Sequence, residues 1–232
     1  MQAIIVAGGK GKRIESIIPD TPKLLLPLNK KLLVDYLIGY LKNYGCKDII
    51  ISTGHLGDKI KDHFEKNNYG IRVNISQENE PLGTAGALNL IKNRINETFV
   101  ILFGDIFTRV NILKLLKFHL RNHSDCTIVV RKTEHPQDSN LVGLDENWLV
   151  KNFQFKPHKK TSTSNYGLTG IYMFNPKMLQ FLPKKKPLDL EKDFLSALLR
   201  YKKKLVCYNT NEFILDIGTP ERYNKILKLF KK

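Results

Sequence analysis

With 232 residues, 42% of them hydrophobic, the chain can bury one sizeable core and calls for no second domain. Its net charge of +16 would suit a polyanionic partner, yet the lysines fall in short separate runs at 159–160, 184–186, 202–204 and 231–232 without interleaved aromatics. That pattern argues for a solvated basic surface over a nucleic-acid-binding module. Cys46, Cys126 and Cys207 lack C-x-x-C spacing, which excludes a disulfide framework or zinc site. The brief apolar start is neither a secretory h-region nor a membrane span, so a cytoplasmic location is expected.

The first predicted element is a buried strand, Ile4-Ile5-Val6-Ala7, followed without a spacer by Gly8-Gly9-Lys10-Gly11-Lys12-Arg13. Glycines let backbone N–H groups approach an anion closely, while Lys12, Arg13 and Lys23 can bring cations to it, so a phosphate-handling loop is expected. The spacing is not that of a P-loop, and Ile14 stands where a dinucleotide fingerprint would need its third glycine. Helical spacing of Leu33, Tyr36, Leu37, Tyr40 and Leu41 predicts a helix over 32–44, ended by Gly45. A strand at 48–52, a helix at 57–66, a strand at 71–76, a helix opening near Gly83 and a strand at 98–103 continue the alternation. An amphipathic helix at 110–123, a strand at 127–131 and two short strands within 141–155 around a turn at 145–147 come next. A loop at 157–164, a strand at 166–174, a helix at 188–201 and a strand at 205–208 complete the reading. Strand alternating with helix implies an α/β fold with a mostly parallel central sheet flanked by helices, and ligands at the carboxyl ends of its strands.

Two groups in this order carry chemistry. Phe103-Gly104-Asp105 ends a buried strand on a carboxylate, a poor place for packing and a good one for a hard cation. Asp216, in Phe213-Ile214-Leu215-Asp216-Ile217-Gly218-Thr219-Pro220, is a candidate partner far away in sequence, with helix capping as its other reading.

Gly8 to Ile14 and Pro22-Lys23-Leu24-Leu25-Leu26-Pro27 resemble the signature G-G-x-G-T-R-L followed by P-K-P of the sugar-1-phosphate nucleotidyltransferases, with Lys12 in place of Thr and Leu24 in place of the second Pro. Pro81 to Leu88 is similar to that family's P-L-G-T-A-G-A-L, and Asp216 to Tyr223 to its D-I-G-T-P-x-x-Y. The resemblance covers nearly the whole chain and implies a Rossmann-like, glycosyltransferase A-like nucleotidyltransferase fold over 1–232 as a single domain. The segment after Pro220 is too short for the C-terminal β-helix of longer relatives.

It also implies the substrates, a nucleoside triphosphate and a sugar 1-phosphate, with Mg²⁺ as cofactor. Ala7, Gly8, Gly9, Gly11, Lys12, Arg13, Lys23, Gln77, Glu78, Gly83, Thr84 and Gly104 would contact the nucleotide. Arg13, Lys23 and Asp105 would be catalytic, and Asp105 and Asp216 would hold the metal. Lys156, matching the lysine of F-x-E-K-P although Phe155 replaces its Glu, would bind the sugar phosphate, with Gly170, Tyr172 and Glu191 nearby.

Within the family the chain most resembles the heptose and mannose 1-phosphate guanylyltransferases, which implies GTP. Glu78 or Gln77 would accept from the guanine N1–H and N2–H₂ donors. Uridylyl, thymidylyl and choline-phosphate cytidylyl transfer stay open on the same framework, as does a noncatalytic nucleotide-sugar-binding subunit. No membrane partner is expected, and a homo-oligomer is compatible with the sequence.

Overall fold

The computed structural model describes residues 1–9, 13–158 and 164–230. Its first strand, β1 (Gln2–Ala7), is buried along almost its whole length, as an unbroken apolar run must be when both its faces are covered. A short hairpin, β2 (Pro27–Leu28) and β3 (Lys31–Leu32), leads into α1 (Leu33–Asn43). Leu33, Val34, Leu37, Ile38 and Leu41 form the buried stripe of α1, the Asp35 carboxylate accepts the Leu32 N–H at 2.8 Å, and Gly45 at φ +80° ends the turn that follows. The series continues with β4 (Asp48–Thr53), α2 (Gly57–Lys66) and β5 (Arg72–Gln77).

The helix expected to open near Gly83 is only the brief α3 (Leu88–Ile91), because residues 84–87 turn tightly instead. Then follow β6 (Phe99–Phe103), β7 (Ile106–Thr108), α4 (Ile112–Arg121), β8 (Cys126–Lys132), β9 (Leu141–Leu144), β10 (Val150–Gln154) and β11 (Tyr166–Phe174). The helix expected over 188–201 starts as a π-helical turn at Leu190–Leu195, capped by the Asp189 side chain, and becomes α5 (Ser196–Arg200). The chain closes with β12 (Leu205–Asn209), β13 (Ile214–Asp216) and α6 (Pro220–Leu229).

The nine-stranded sheet runs β10-β9-β11-β6-β1-β4-β5, with β8 on the other edge of β11 and β12 beside β8. Strands β6, β1, β4 and β5 are mutually parallel, and only β11 and β10 oppose the common direction, so the expected mostly parallel sheet is present. Alternation along β1 sends Ile5 into one core with Leu37, Leu41, Ile171 and Ile217, and Ile4 into the other with Tyr172, Phe174 and Phe194. The three cysteines are free and buried, and no helix among the described residues is long and apolar enough to cross a membrane.

Sequence reasoning missed the ribbon formed by β7 and β13. Its antiparallel register sets Asp216 opposite Ile106, Leu215 opposite Phe107 and Ile214 opposite Thr108, so the end of the chain is brought back to the end of β6.

Candidate active site

The carboxyl ends of β1, β4 and β6 converge, and glycines allow them to close. The Gly104 N–H donates to the Val6 carbonyl at 2.8 Å, and a Cβ on Gly104 would sit 3.1 Å from both that oxygen and the Ala7 Cβ. A Cβ on Gly54 would lie 3.0 Å from the Gly8 carbonyl, and one on Gly8 would lie 3.2 Å from Glu78 Oε1. Ala7, Gly9, Lys23, Thr84, Gly104 and Asp105 line a cavity of about 220 Å³ above this junction. Arg13 is exposed in the turn beyond, with no ion-pair partner among the described residues; Gly11 and Lys12 lie outside the described residues.

Glu78 is turned inward beneath Gly8. Its Oε2 accepts the Leu82 N–H at 2.9 Å and its Oε1 the Ser52 hydroxyl at 3.4 Å. Burial pushes its carboxyl pKa up, against the opposing pull of those two donors. Gln77 donates instead to Asp58 at 3.0 Å, at the start of α2. Thr84 is also engaged: its hydroxyl accepts the Leu190 N–H at 2.8 Å. Gly83, at φ +83°, has no room for a side chain, since a Cβ would meet the Leu188 carbonyl at 2.5 Å. The loop carrying Gly83 and Thr84 is stitched onto Leu188 by backbone bonds from Leu82, Ala85 and Gly86, and onto Leu190 by the Thr84 hydroxyl.

Lys23 sits on a 3₁₀ turn, Lys23–Leu25, anchored by buried Leu24. Its Nζ donates to Asp105 Oδ2 at 2.7 Å, with both side chains about one-fifth exposed (19% and 24%). The Ile217 N–H donates to the Asp105 carbonyl at 2.8 Å, which locks β13 beside it. Gly218 then forms the floor of a cradle. A Cβ there would stand 2.8 Å from Asp216 Oδ1, 3.1 Å from Lys23 Nζ and 3.3 Å from Asp105 Oδ2.

Helix capping is not the task of Asp216, because the Thr219 hydroxyl accepts the Arg222 N–H at 3.3 Å and caps α6. Asp216 Oδ1 instead accepts the Gly218 N–H at 2.6 Å, and its Oδ2 takes the Arg222 guanidinium. Tyr223 ties the same helix to the segment bearing Lys23, its hydroxyl donating to the Pro27 carbonyl at 2.6 Å.

Two hard carboxylate oxygens, from Asp216 and Asp105, converge within 3.3 Å of one point above Gly218, a donor set that fits a Mg²⁺ ion with the Lys23 ammonium beside it. Among the described residues no group of three or more His, Cys, Asp or Glu is arranged to hold a metal, so the remaining ligands would be phosphate and water oxygens, the usual habit of Mg²⁺.

On the other side of β11 the expected sugar contacts divide. Lys156 is exposed and its Nζ donates to the Asp138 carbonyl at 2.9 Å; its backbone N–H donates to Asn140 Oδ1 at 3.1 Å. Asn140 in turn donates to Glu191 Oε2, and the Tyr172 hydroxyl donates to Glu191 Oε1. Tyr172 is fully buried and Glu191 only 9% exposed, which corrects the expectation that they touch a sugar directly. They support Asn140, a residue hidden from sequence reasoning in a stretch that reads as loop. Burial raises the Glu191 carboxyl pKa, with Tyr172, Asn140 and the Lys156 charge opposing it. Gly170 is likewise a packing position: at φ +78° it forms the bulge in β11, and a Cβ would strike Ile106 Cδ1 at 2.5 Å.

The family model described as "Nucleotidyl transferase" matches residues 2–232. The chain is 31% identical to D-glycero-alpha-D-manno-heptose 1-phosphate guanylyltransferase of Campylobacter jejuni, covering 98% of this chain and 99% of that protein. It is also 31% identical to mannose-1-phosphate guanylyltransferase catalytic subunit beta of Drosophila pseudoobscura, covering 96% of this chain but spanning only 60% of the length of that relative. The crystal structure of HddC from Yersinia pseudotuberculosis complexed with GMP-PN superposes with a TM-score of 0.83 at 27% identity, covering 99% of both chains.

Proposed function

The chain belongs to the nucleotidyl transferase family, and from that premise we propose that it joins a nucleoside triphosphate, GTP by preference, to heptose or mannose 1-phosphate. The products are a nucleoside diphosphate sugar and pyrophosphate. One observation carries the reading: Lys23, Asp105 and Asp216 meet over Gly218, at the carboxyl end of β6 and beside the glycine loop after β1.

In this reaction a phosphate oxygen of the sugar 1-phosphate attacks the α-phosphorus in line, a new P–O bond forming as the bond to the β-phosphate breaks. The attacking group is already an anion, so no protein nucleophile is required. The chain's contribution is position and charge. Backbone N–H groups after β1 and the exposed Arg13 receive the triphosphate, and Lys23 counters charge at the α-phosphate. Lys156, free to swing from a backbone carbonyl, takes the sugar phosphate. Asp105 and Asp216 would hold Mg²⁺, which supplies neutralisation of the charge that develops on the phosphates.

Preference for guanine is supported by the two guanylyltransferase relatives and the GMP-PN complex of HddC. Glu78 or Gln77 would accept from the guanine donors, Glu78 with the lone pairs that Leu82 and Ser52 leave to it. The test is pyrophosphate release from GTP, UTP, dTTP, CTP and ATP, each paired with heptose, mannose and glucose 1-phosphates and choline phosphate. GTP with heptose or mannose 1-phosphate should turn over fastest. Dominance of another base removes the guanylyl assignment, and no release from any pair removes the enzyme.

A further inference from the structure

A cavity of about 540 Å³ opens beside Asp216, between the end of β8, the start of β11, β13 and the first turns of α6. Three cations line it, Arg131, Arg222 and Lys225, together with three carboxylates, Asp138, Asp216 and Glu221. Arg131 is fixed on its wall by donating to the Ile214 carbonyl at 3.2 Å. Arg222 and Lys225 stand three residues apart on α6 and so share a face. Balanced in this way, the cavity has no net charge with which to hold an anion.

Asp216 is shared between this cavity and the cradle of Gly218. Its Oδ1 faces the cradle and its Oδ2 holds Arg222 in an ion pair that is about two-fifths exposed (42% and 40%). A divalent ion on Oδ1 and the guanidinium on Oδ2 would share one negative charge, so each weakens the other's hold on Asp216. With the charge of Asp216 taken up by the ion, the Arg222 pair loosens and three cations then face two uncompensated carboxylates.

We infer that Arg222 couples two sites: it competes with a divalent ion for Asp216 and, once displaced, completes with Arg131 and Lys225 a subsite for a phosphate group. The inference rests on the assignment of Asp216 to a metal under the proposed function. Linkage makes the coupling reciprocal, so the anion must tighten the cation as the cation tightens the anion.

Binding of Mn²⁺ to the full chain, read from the electron paramagnetic resonance signal of the free ion at fixed ionic strength, tests it without turnover. Sulfate, exchanged for chloride, serves as the tetrahedral dianion. In the natural sequence sulfate should tighten Mn²⁺ about fivefold, within the usual range of coupling between sites. Arg222→Gln should bind Mn²⁺ about fivefold more tightly in chloride and lose the response to sulfate. Arg131→Ala should lose the response to sulfate alone, which keeps the inference testable should the Arg222 variant fold poorly. No sulfate effect in the natural sequence, Mn²⁺ no tighter in folded Arg222→Gln, or a sulfate effect that survives in either variant would each overturn it. Loss of Mn²⁺ binding in Asp216→Asn with no gain in Arg222→Gln defeats the coupling only, whereas undiminished binding in Asp216→Asn defeats the metal assignment beneath it. Substituting mannose 1-phosphate and inorganic phosphate for sulfate then tells, by the larger gain, whether the group arrives on a sugar or free.

Discussion

Gly218 shows how much of the site hangs on an atom that is missing by design. An alanine there would put a methyl group within 3.3 Å of Asp216, Lys23 and Asp105 at once, closer than side chains ordinarily approach. Fold stability should change little, because although Gly218 is buried its neighbours there are the ends of side chains, and Lys23 can yield. Gly218→Ala should therefore lower kcat by about tenfold to a hundredfold, as expected for a small displacement of positioned groups, while the melting temperature stays within a few degrees. Steady-state kinetics beside a melting curve checks this, and a loss of both together would mean that the glycine serves the fold instead.

The helices and strands show where local signals suffice and where they do not. The strand before Gly8, the helix at 57–66 and the strand at 166–174 are plain from periodicity, and Asp105 is plain as a carboxylate ending a buried run. The three-residue β7 and β13 carry no period, and their pairing joins positions more than a hundred residues apart, so the partnership of Asp105 with Asp216 is legible only through family likeness. Tyr172 and Glu191 mislead for a related reason: local sequence tells that they are polar, and only the packing of residues 188–195 on β11 tells that they are covered.

α4 offers a test at this scale. His119 is buried on α4, hydrogen-bonded to Thr127 of β8 at 2.8 Å, and burial lowers its pKa to about 4 from 6.5. A base with a depressed folded pKa contributes stability that is whole above the unfolded value and is lost as pH falls through the folded one. The protein should thus lose a few kcal/mol between pH 6.5 and 4 through this residue. His119→Gln should melt lower at neutral pH and show a shallower decline over that window. An equal slope in both proteins would assign the acid sensitivity elsewhere.

For the molecule as a whole, ligand binding should report the site as a thermal shift, since a ligand that binds only the folded chain stabilises it by mass action. GTP with Mg²⁺ at about a hundred times its Kd should add about 2.7 kcal/mol. Asp105→Asn should keep the unliganded melting temperature within a few degrees and lose most of the Mg²⁺-dependent part of that shift. A full shift in the variant would free Asp105 of its metal role.

The central position of β1 has a further consequence, for how the chain is made. Its neighbours in the sheet pair Gln2 with Asp48 on one side and with Phe99 on the other. On a ribosome, then, this apolar strand emerges before either of its neighbours, and its second edge stays open while the next hundred or so residues are synthesised. Long-range parallel pairing of this kind folds slowly. Through that interval Ile4, Ile5 and Val6 offer an open edge to any neighbouring chain. The two glycines and the cation that follow them, Gly8, Gly9 and Lys10, interrupt the apolar run where it would otherwise lengthen. The same residues that would later receive a triphosphate would thus also limit aggregation of the nascent strand.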